Sequence, residues 1–192
     1  IHVPPSGWLE DVATLARTHG AVLCLDEIQT GMGRTGVPFA GPAQGVVPDL
    51  LCVGKALGGG FPISACLGTA EVMAHWGASR GEAIHTQTFL GHPIGCAAAL
   101  AVLDLLAAGL VDQVQARGEA LAGMLGKGGF EVRGRGLMRA VTVERALQAS
   151  RTLLRRGYLT LPADDRSLQL TPAVTLTDVQ IAGFVAALTE IR

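Results

Sequence analysis

Two side chains stand where a short apolar run gives way to a turn. Lys55 follows Leu50-Leu51-Cys52-Val53-Gly54 and precedes Ala56-Leu57-Gly58-Gly59-Gly60. An amine that sheds its proton there becomes a nucleophile toward a carbonyl. Asp26 closes a second run, Ala21-Val22-Leu23-Cys24-Leu25, and leads into Glu27-Ile28-Gln29. Singly, each has an ordinary reading: Lys55 as a solvated strand-end charge, Asp26 as the cap of a turn. Gly54-Lys55-Ala56 also lacks the preceding glycine and the following Ser or Thr of a phosphate-binding loop. The five histidines form no HExxH or other ligand spacing, so no metal site is expected. Cys24, Cys52, Cys66 and Cys96 lie inside apolar or small-residue runs and not in CxxC pairs. They read as reduced core residues of a cytosolic protein.

The elements that must position these groups follow from pattern. Both apolar runs are short and continuous, as in strands covered on both faces, and their polar ends fall where α/β proteins place ligands. A helix capped by Ser6 and stopped at Gly20 precedes the first strand, and a third strand is expected over Ile63 to Leu67. From Gly77 to Pro93 the chain is polar and irregular. Pro93 then opens a helix to about Ala108, and a second helix carries Val111, Val114, Leu121 and Leu125 on one face up to Gly128-Gly129. Beyond it, strands are expected at Phe130 to Val132, Leu137 to Val143, Tyr158 to Leu161 and Leu168 to Leu170. A helix ends at Arg156, and the last helix opens on the capping box Thr177-x-x-Gln180. The division between domains is placed in the Pro93–Ala108 helix, giving 1–100 and 101–192.

Composition narrows the function classes. Fifteen Lys+Arg against 16 Asp+Glu in 192 residues leave a net charge of −1, so a nucleic-acid-coating surface is not expected. With 49% hydrophobic residues the chain can bury a sizeable core. The longest apolar stretch, Cys96 to Val111, is broken by Asp104 and Gly109 and falls short of the ~20 residues of a membrane span, so no membrane partner is expected. The 26 glycines cluster beside the expected strand ends, where close backbone approach to a ligand is the usual reason.

Together, Lys55 as a Schiff-base amine and Asp26 as an anion against a pyridinium nitrogen are the two groups that a pyridoxal-phosphate enzyme must supply. The longer motifs agree. Asp26-Glu27-Ile28-Gln29-Thr30-Gly31-Met32-Gly33-Arg34-Thr35-Gly36, Pro48-Asp49, Gly54-Lys55-Ala56-Leu57-Gly58-Gly59-Gly60-Phe61-Pro62, Thr88-Phe89-x-Gly91-His92-Pro93, Cys96-Ala97-Ala98-Ala99-Leu100 and Arg133-Gly134-Arg135-Gly136-Leu137-Met138 occur in that order. The set resembles the class III (omega-type) aminotransferases of pyridoxal-phosphate fold type I over essentially the whole chain. The resemblance implies an α/β fold: part of a large mixed-sheet, cofactor-binding domain followed by a small α+β C-terminal domain. It implies that Lys55 carries the cofactor and moves the proton, that Asp26 pairs with the ring nitrogen, and that Ile28 lies against the ring. Gln29 would reach the phenolic oxygen. Thr88 would bind the phosphate of a neighbouring subunit's cofactor, making a homodimer with shared active sites, while Arg34 and its glycines would shape a loop. The implied substrates are an amine and an oxo acid, and the implied location is cytoplasmic.

Two departures stand out. Members of that family are roughly twice this long, and the N-terminal part with the phosphate cradle and the stacking ring has no counterpart here, so the chain is expected to be a C-terminal portion. Many amino-acid-using members also carry a carboxylate-binding arginine in an Arg-x-x-Pro-Pro-like segment. Here that segment reads Leu168-Gln169-Leu170-Thr171-Pro172-Ala173, with Gln169 in the arginine's place and Arg166 three residues before it. A mutase or decarboxylase outcome, or a catalytically silent dimerising module, remains as an alternative at this stage.

Overall fold

A computed structural model describes all 192 residues, Ile1 to Arg192. The chain forms two compact units: Pro5–Met32 with Pro38–Ala108, and Gly109–Arg192 with the short pieces Ile1–Pro4 and Gly33–Val37. The sequence places a single cut at 100/101. The units part instead at Gly109, whose φ of +91° breaks the helical path, and the early loop 33–37 belongs to the later unit.

In the first unit, α1 (Trp8–Thr18) leads to a three-stranded sheet of β1 (Cys24–Asp26), β2 (Leu50–Val53) and β3 (Ala65–Gly68), in that order. β1 and β2 are parallel, with Cys24 opposite Leu50 and Asp26 opposite Cys52. β2 and β3 are antiparallel, with Cys52 opposite Cys66. Ser6 does not cap α1: the N-cap is Gly7, with no side-chain bond. A one-and-a-half-turn helix missed by the pattern, α2 (Ala70–Ala74), is capped by Thr69. It is too short to show a repeating apolar face. Α-helix α3 (Pro93–Leu105) closes the unit. Its core is a small cluster of Met32, Val53, Leu57 and Ala99.

The expected double coverage of these strands does not hold in this chain. β1 alternates exposed and half-buried residues and β2 is fully buried only at Val53; within this chain Cys24, Cys66 and Cys96 are exposed and Cys52 half-buried, all four as free thiols. The helical hydrogen bonding also runs on from Pro93 to Lys127, with an 18-residue window of mean hydropathy 2.3, long and apolar enough on those grounds alone to cross a bilayer. Gly109 divides that run, and its second half contributes Val114, Leu121 and Leu125 to a core.

In the second unit, α4 (Val111–Lys127), α5 (Ala146–Arg155) and α6 (Asp178–Thr189) accompany a four-stranded antiparallel sheet. Its strands are β4 (Val132–Arg135), β5 (Met138–Thr142), β6 (Leu161–Asp164) and β7 (Ser167–Leu170), ordered β4-β5-β7-β6. Val141, Leu168 and Leu170 pack with Leu125, Leu153, Ile181 and Leu188 in the larger core. The capping box is present: Thr177 Oγ1 accepts from Gln180 N at 3.3 Å, and Gln180 Oε1 accepts from Thr177 N at 2.9 Å. Gly118 of α4 meets Gly136 in the β4–β5 turn so closely that a Cβ on Gly118 would lie 2.1 Å from the Gly136 carbonyl oxygen. Arg139 fastens the same turn, donating to the carbonyls of Gly136 and Gly134 and to Glu119 on α4.

Candidate functional site

Parallel neighbours end at the same sheet edge, so β1 and β2 deliver their C-terminal residues together. Asp26 is the last residue of β1 and Lys55 lies two residues past the end of β2. The ladder runs one step beyond Asp26, with Glu27 N donating to Cys52 O at 2.9 Å. The chain then turns sharply: Asp26 Oδ1 accepts from Ile28 N at 2.9 Å, which fixes the carboxylate and leaves Oδ2 available. Lys55 is exposed and begins a 3-10 turn, Lys55–Gly58, with φ +39°. A left-handed conformation costs a non-glycine residue about 1–3 kcal/mol and persists where the surroundings enforce it, a pattern concentrated at functional sites. Here the enforcement comes from buried Val53 and Leu57 on either side and from Leu57 N donating to Gly54 O at 2.8 Å.

Ile28 is drawn to the same place. A Cβ built on Gly54 would lie 3.4 Å from Ile28 Cγ2, so this side chain borders the backbone that carries Lys55. Gln29 follows in the turn, half-buried. The structure thus gathers Asp26, Ile28, Gln29 and Lys55 at one edge. Thr88 is exposed in the segment before α3. Gln169 belongs to the second unit, in the middle of β7 opposite Ala140 and Leu161. It lines an open cleft of about 500 Å³ with Tyr158, Leu161, Pro172 and Phe184. Arg166, its nearest alternative cation in sequence, is exposed in the β6–β7 turn, where its N–H donates to Asp164 Oδ1 at 2.8 Å.

Glu27 is a site residue that the motif reading passed over. It is 3% exposed, and its carboxylate accepts from Gly41 N at 2.7 Å, Ala40 N at 3.0 Å and Thr30 Oγ1 at 2.7 Å. It pins the start of the loop that holds Ile28 and Gln29 to residues more than ten positions on. Strand alternation carried the only signal, since Glu27 must point opposite to Asp26. Arg34 shapes a loop as expected: Nη1 donates to Pro172 O at 2.6 Å, and its own carbonyl accepts from Leu137 N at 3.0 Å. Burial lowers the proton affinity of its guanidinium.

The family model described as aminotransferase class-III matches residues 1–191. The acetylornithine aminotransferase of Mycobacterium tuberculosis (strain ATCC 25618 / H37Rv) is 41% identical over 98% of this chain and 48% of its own length. That of Methanosarcina acetivorans is 36% identical over 99% of this chain and 48% of its own. Among solved structures, acetylornithine aminotransferase from Elizabethkingia anophelis superposes with a TM-score of 0.86 at 30% identity, covering 98% of this chain and 52% of that one. The chain spans about half the length of the curated relatives it matches.

Proposed function

The chain belongs to the class-III aminotransferases, and we propose that it supplies the lysine and the ring-nitrogen carboxylate of a pyridoxal 5′-phosphate-dependent transaminase, moving an amino group from a primary amine or ω-amino acid to an oxo acid. The observation that carries this is the exit of Asp26 and Lys55 from neighbouring parallel strands at one edge. The residues fit the cofactor: an exposed amine on a backbone held at φ +39°, and a carboxylate with one oxygen fixed by Ile28 N and the other available.

When bound, the cofactor acts as an electron sink for the bond broken at the amine-bearing carbon. Lys55 would hold the cofactor through Nζ, and its amine would supply the base for the proton on that carbon. Asp26 would keep the ring nitrogen protonated by offering a fixed negative charge to it. Ile28 offers an aliphatic wall to the ring, and Gln29 a donor to the phenolic oxygen. Thr88, exposed in the segment before α3, would serve the phosphate across a homodimer interface. The four free thiols accord with work in the reducing cytoplasm.

The test is borohydride reduction of the cofactor-loaded native protein, followed by tryptic mapping. Lys55 and Lys127 are the two lysines of this chain. A pyridoxyl group on Lys55 blocks cleavage there and leaves 35–80 as one peptide. A label on Lys127, or none on this chain, overturns the assignment.

A further inference from the structure

The first-unit sheet carries a feature that transamination does not use. Cys24, Cys52 and Cys66 stand in a row across β1, β2 and β3, with Sγ separations of 3.9 Å between Cys24 and Cys52 and 4.0 Å between Cys52 and Cys66. From this geometry we propose that Cys52 and Cys66 form an oxidative modification site, closing to a cross-strand disulfide when a hydroperoxide is supplied, while Cys24 stays a thiol.

Strand register separates the two possible pairs. Cys52 and Cys66 face each other directly in the antiparallel ladder. The Cys52 carbonyl turns away from β3, accepting Glu27 N on the β1 side, and just past the paired strands Thr69 N donates to Asp49 O, marking 49–69 as a hydrogen-bonded pair of the same ladder. Alternation from that bonded pair makes Cys52–Cys66 a non-hydrogen-bonded pair, with Cα atoms about 4.5 Å apart and side chains close. That lies within the 4.4–6.8 Å range that a disulfide spans. Cys24, by contrast, is opposite Leu50, two residues from Cys52 along a parallel neighbour. The strand spacing and the rise per residue put those Cα atoms about 8 Å apart, beyond the ~7 Å limit for bridging without backbone movement. Their sulfurs approach only because the side chains lean together.

The step balances with the peroxide as oxidant. One thiolate attacks a peroxide oxygen, the O–O bond breaks, and that sulfur becomes a sulfenic acid as hydroxide leaves. The second sulfur displaces the sulfenic oxygen as water and the S–S bond forms. Two thiols lose two electrons and two protons, and hydrogen peroxide becomes two waters. Burial, with the neighbouring Cys52, pushes the Cys24 and Cys66 thiols above their ordinary value. The reaction therefore quickens as pH rises. The proposal rests on thiol placement alone and is independent of the cofactor reading.

The three cysteines fall in three separate tryptic segments, 18–34, 35–55 and 56–80, so connectivity can be read directly. The native protein is treated with hydrogen peroxide, alkylated and digested without reductant. The expected result is 35–55 joined to 56–80, with free thiols in this chain falling from four to two. The Cys24→Ser variant should give the same link and Cys66→Ser none. A dominant link between 18–34 and 35–55 would overturn the proposal. So would a native protein that gains no link while its urea-unfolded form does.

Discussion

Replacing Glu27 by glutamine removes a charge and swaps one acceptor oxygen for an amide donor while keeping the side-chain volume. The 3% exposure leaves no water to compensate. Oε1 accepts Gly41 N at 2.7 Å, and Oε2 accepts both Ala40 N at 3.0 Å and Thr30 Oγ1 at 2.7 Å. The amide NH₂ takes the place of one oxygen and meets one backbone N–H donor against donor, Gly41 at Oε1 or Ala40 at Oε2, where the Thr30 hydroxyl can turn to accept. One charge-assisted bond, worth about 1.5–3 kcal/mol, is then lost and a buried N–H is orphaned at about 1–3 kcal/mol. The two figures overlap, because the lost bond already includes part of the desolvation, so the expected destabilisation is about 2–4 kcal/mol. That is a large part of a typical 5–15 kcal/mol stability. Urea unfolding of Glu27→Gln beside the parent measures the loss as a shift in midpoint, and native-state hydrogen exchange should show faster exchange at the Ala40 and Gly41 amides. A stability change below ~0.5 kcal/mol with both amides still protected would refute the pinning role.

Asp26→Asn should retain the cofactor but lower turnover of the native protein by roughly 10²-fold or more, since an amide cannot hold the ring nitrogen protonated; steady-state rates decide this, and near-normal turnover counts against it. Gly118→Ala should destabilise the second unit by about 1–3 kcal/mol despite the ~1 kcal/mol of helix propensity gained, because its Cβ would sit 2.1 Å from Gly136 O; thermal unfolding reads the sign. Thr177→Ala removes the Oγ1 bond to Gln180 N and should cost about 1 kcal/mol in the same assay. Gln169→Arg restores a bidentate partner for a carboxylate and should tighten KM for a dicarboxylate acceptor roughly 10–100-fold; an unchanged KM removes Gln169 from the substrate site.

What could be read in the sequence was set by how local the cause is. The Thr177-x-x-Gln180 box and Pro93 as a helix opener depend on neighbours within four residues, and both stand in the structure. The expected start at Ala21 fails because the strand register begins at Cys24, while Leu23 is held by Asp49 Oδ2 on its N–H and by Asp49 N and Leu50 N on its carbonyl. Phe130 was assigned to a strand by its apolar character but packs in the core beneath Arg192, while β4 itself begins at Val132. The strand-end positions of Asp26 and Lys55 are legible because apolar runs point at them. Glu27 was not, since its partners Ala40 and Gly41 donate through backbone that any residue carries. The thiol row was equally hidden: spacings of 28 and 14 residues become neighbours only through the strand order β1-β2-β3.

The arrangement at the strand ends divides positioning from chemistry. Most of the bonds that shape the edge are made by groups that the proposed transamination does not need: Glu27 on backbone amides, Asp49 Oδ2 on Leu23 N, Gly54 O on Leu57 N. Asp26 gives up one oxygen to the turn, and neither Asp26 nor Lys55 enters any of the chain's salt bridges. Had the two paired with each other, each would have neutralised the charge the other brings to a bound cofactor, and binding would first have had to break the pair. A lysine on a left-handed backbone and a carboxylate with one oxygen spare are the form such groups take when neighbours carry the structural load. It follows that substitutions at Glu27 and at Asp26 should separate cleanly. The first lowers stability and loosens the loop, and the second lowers turnover in a protein that unfolds at nearly the parent's midpoint.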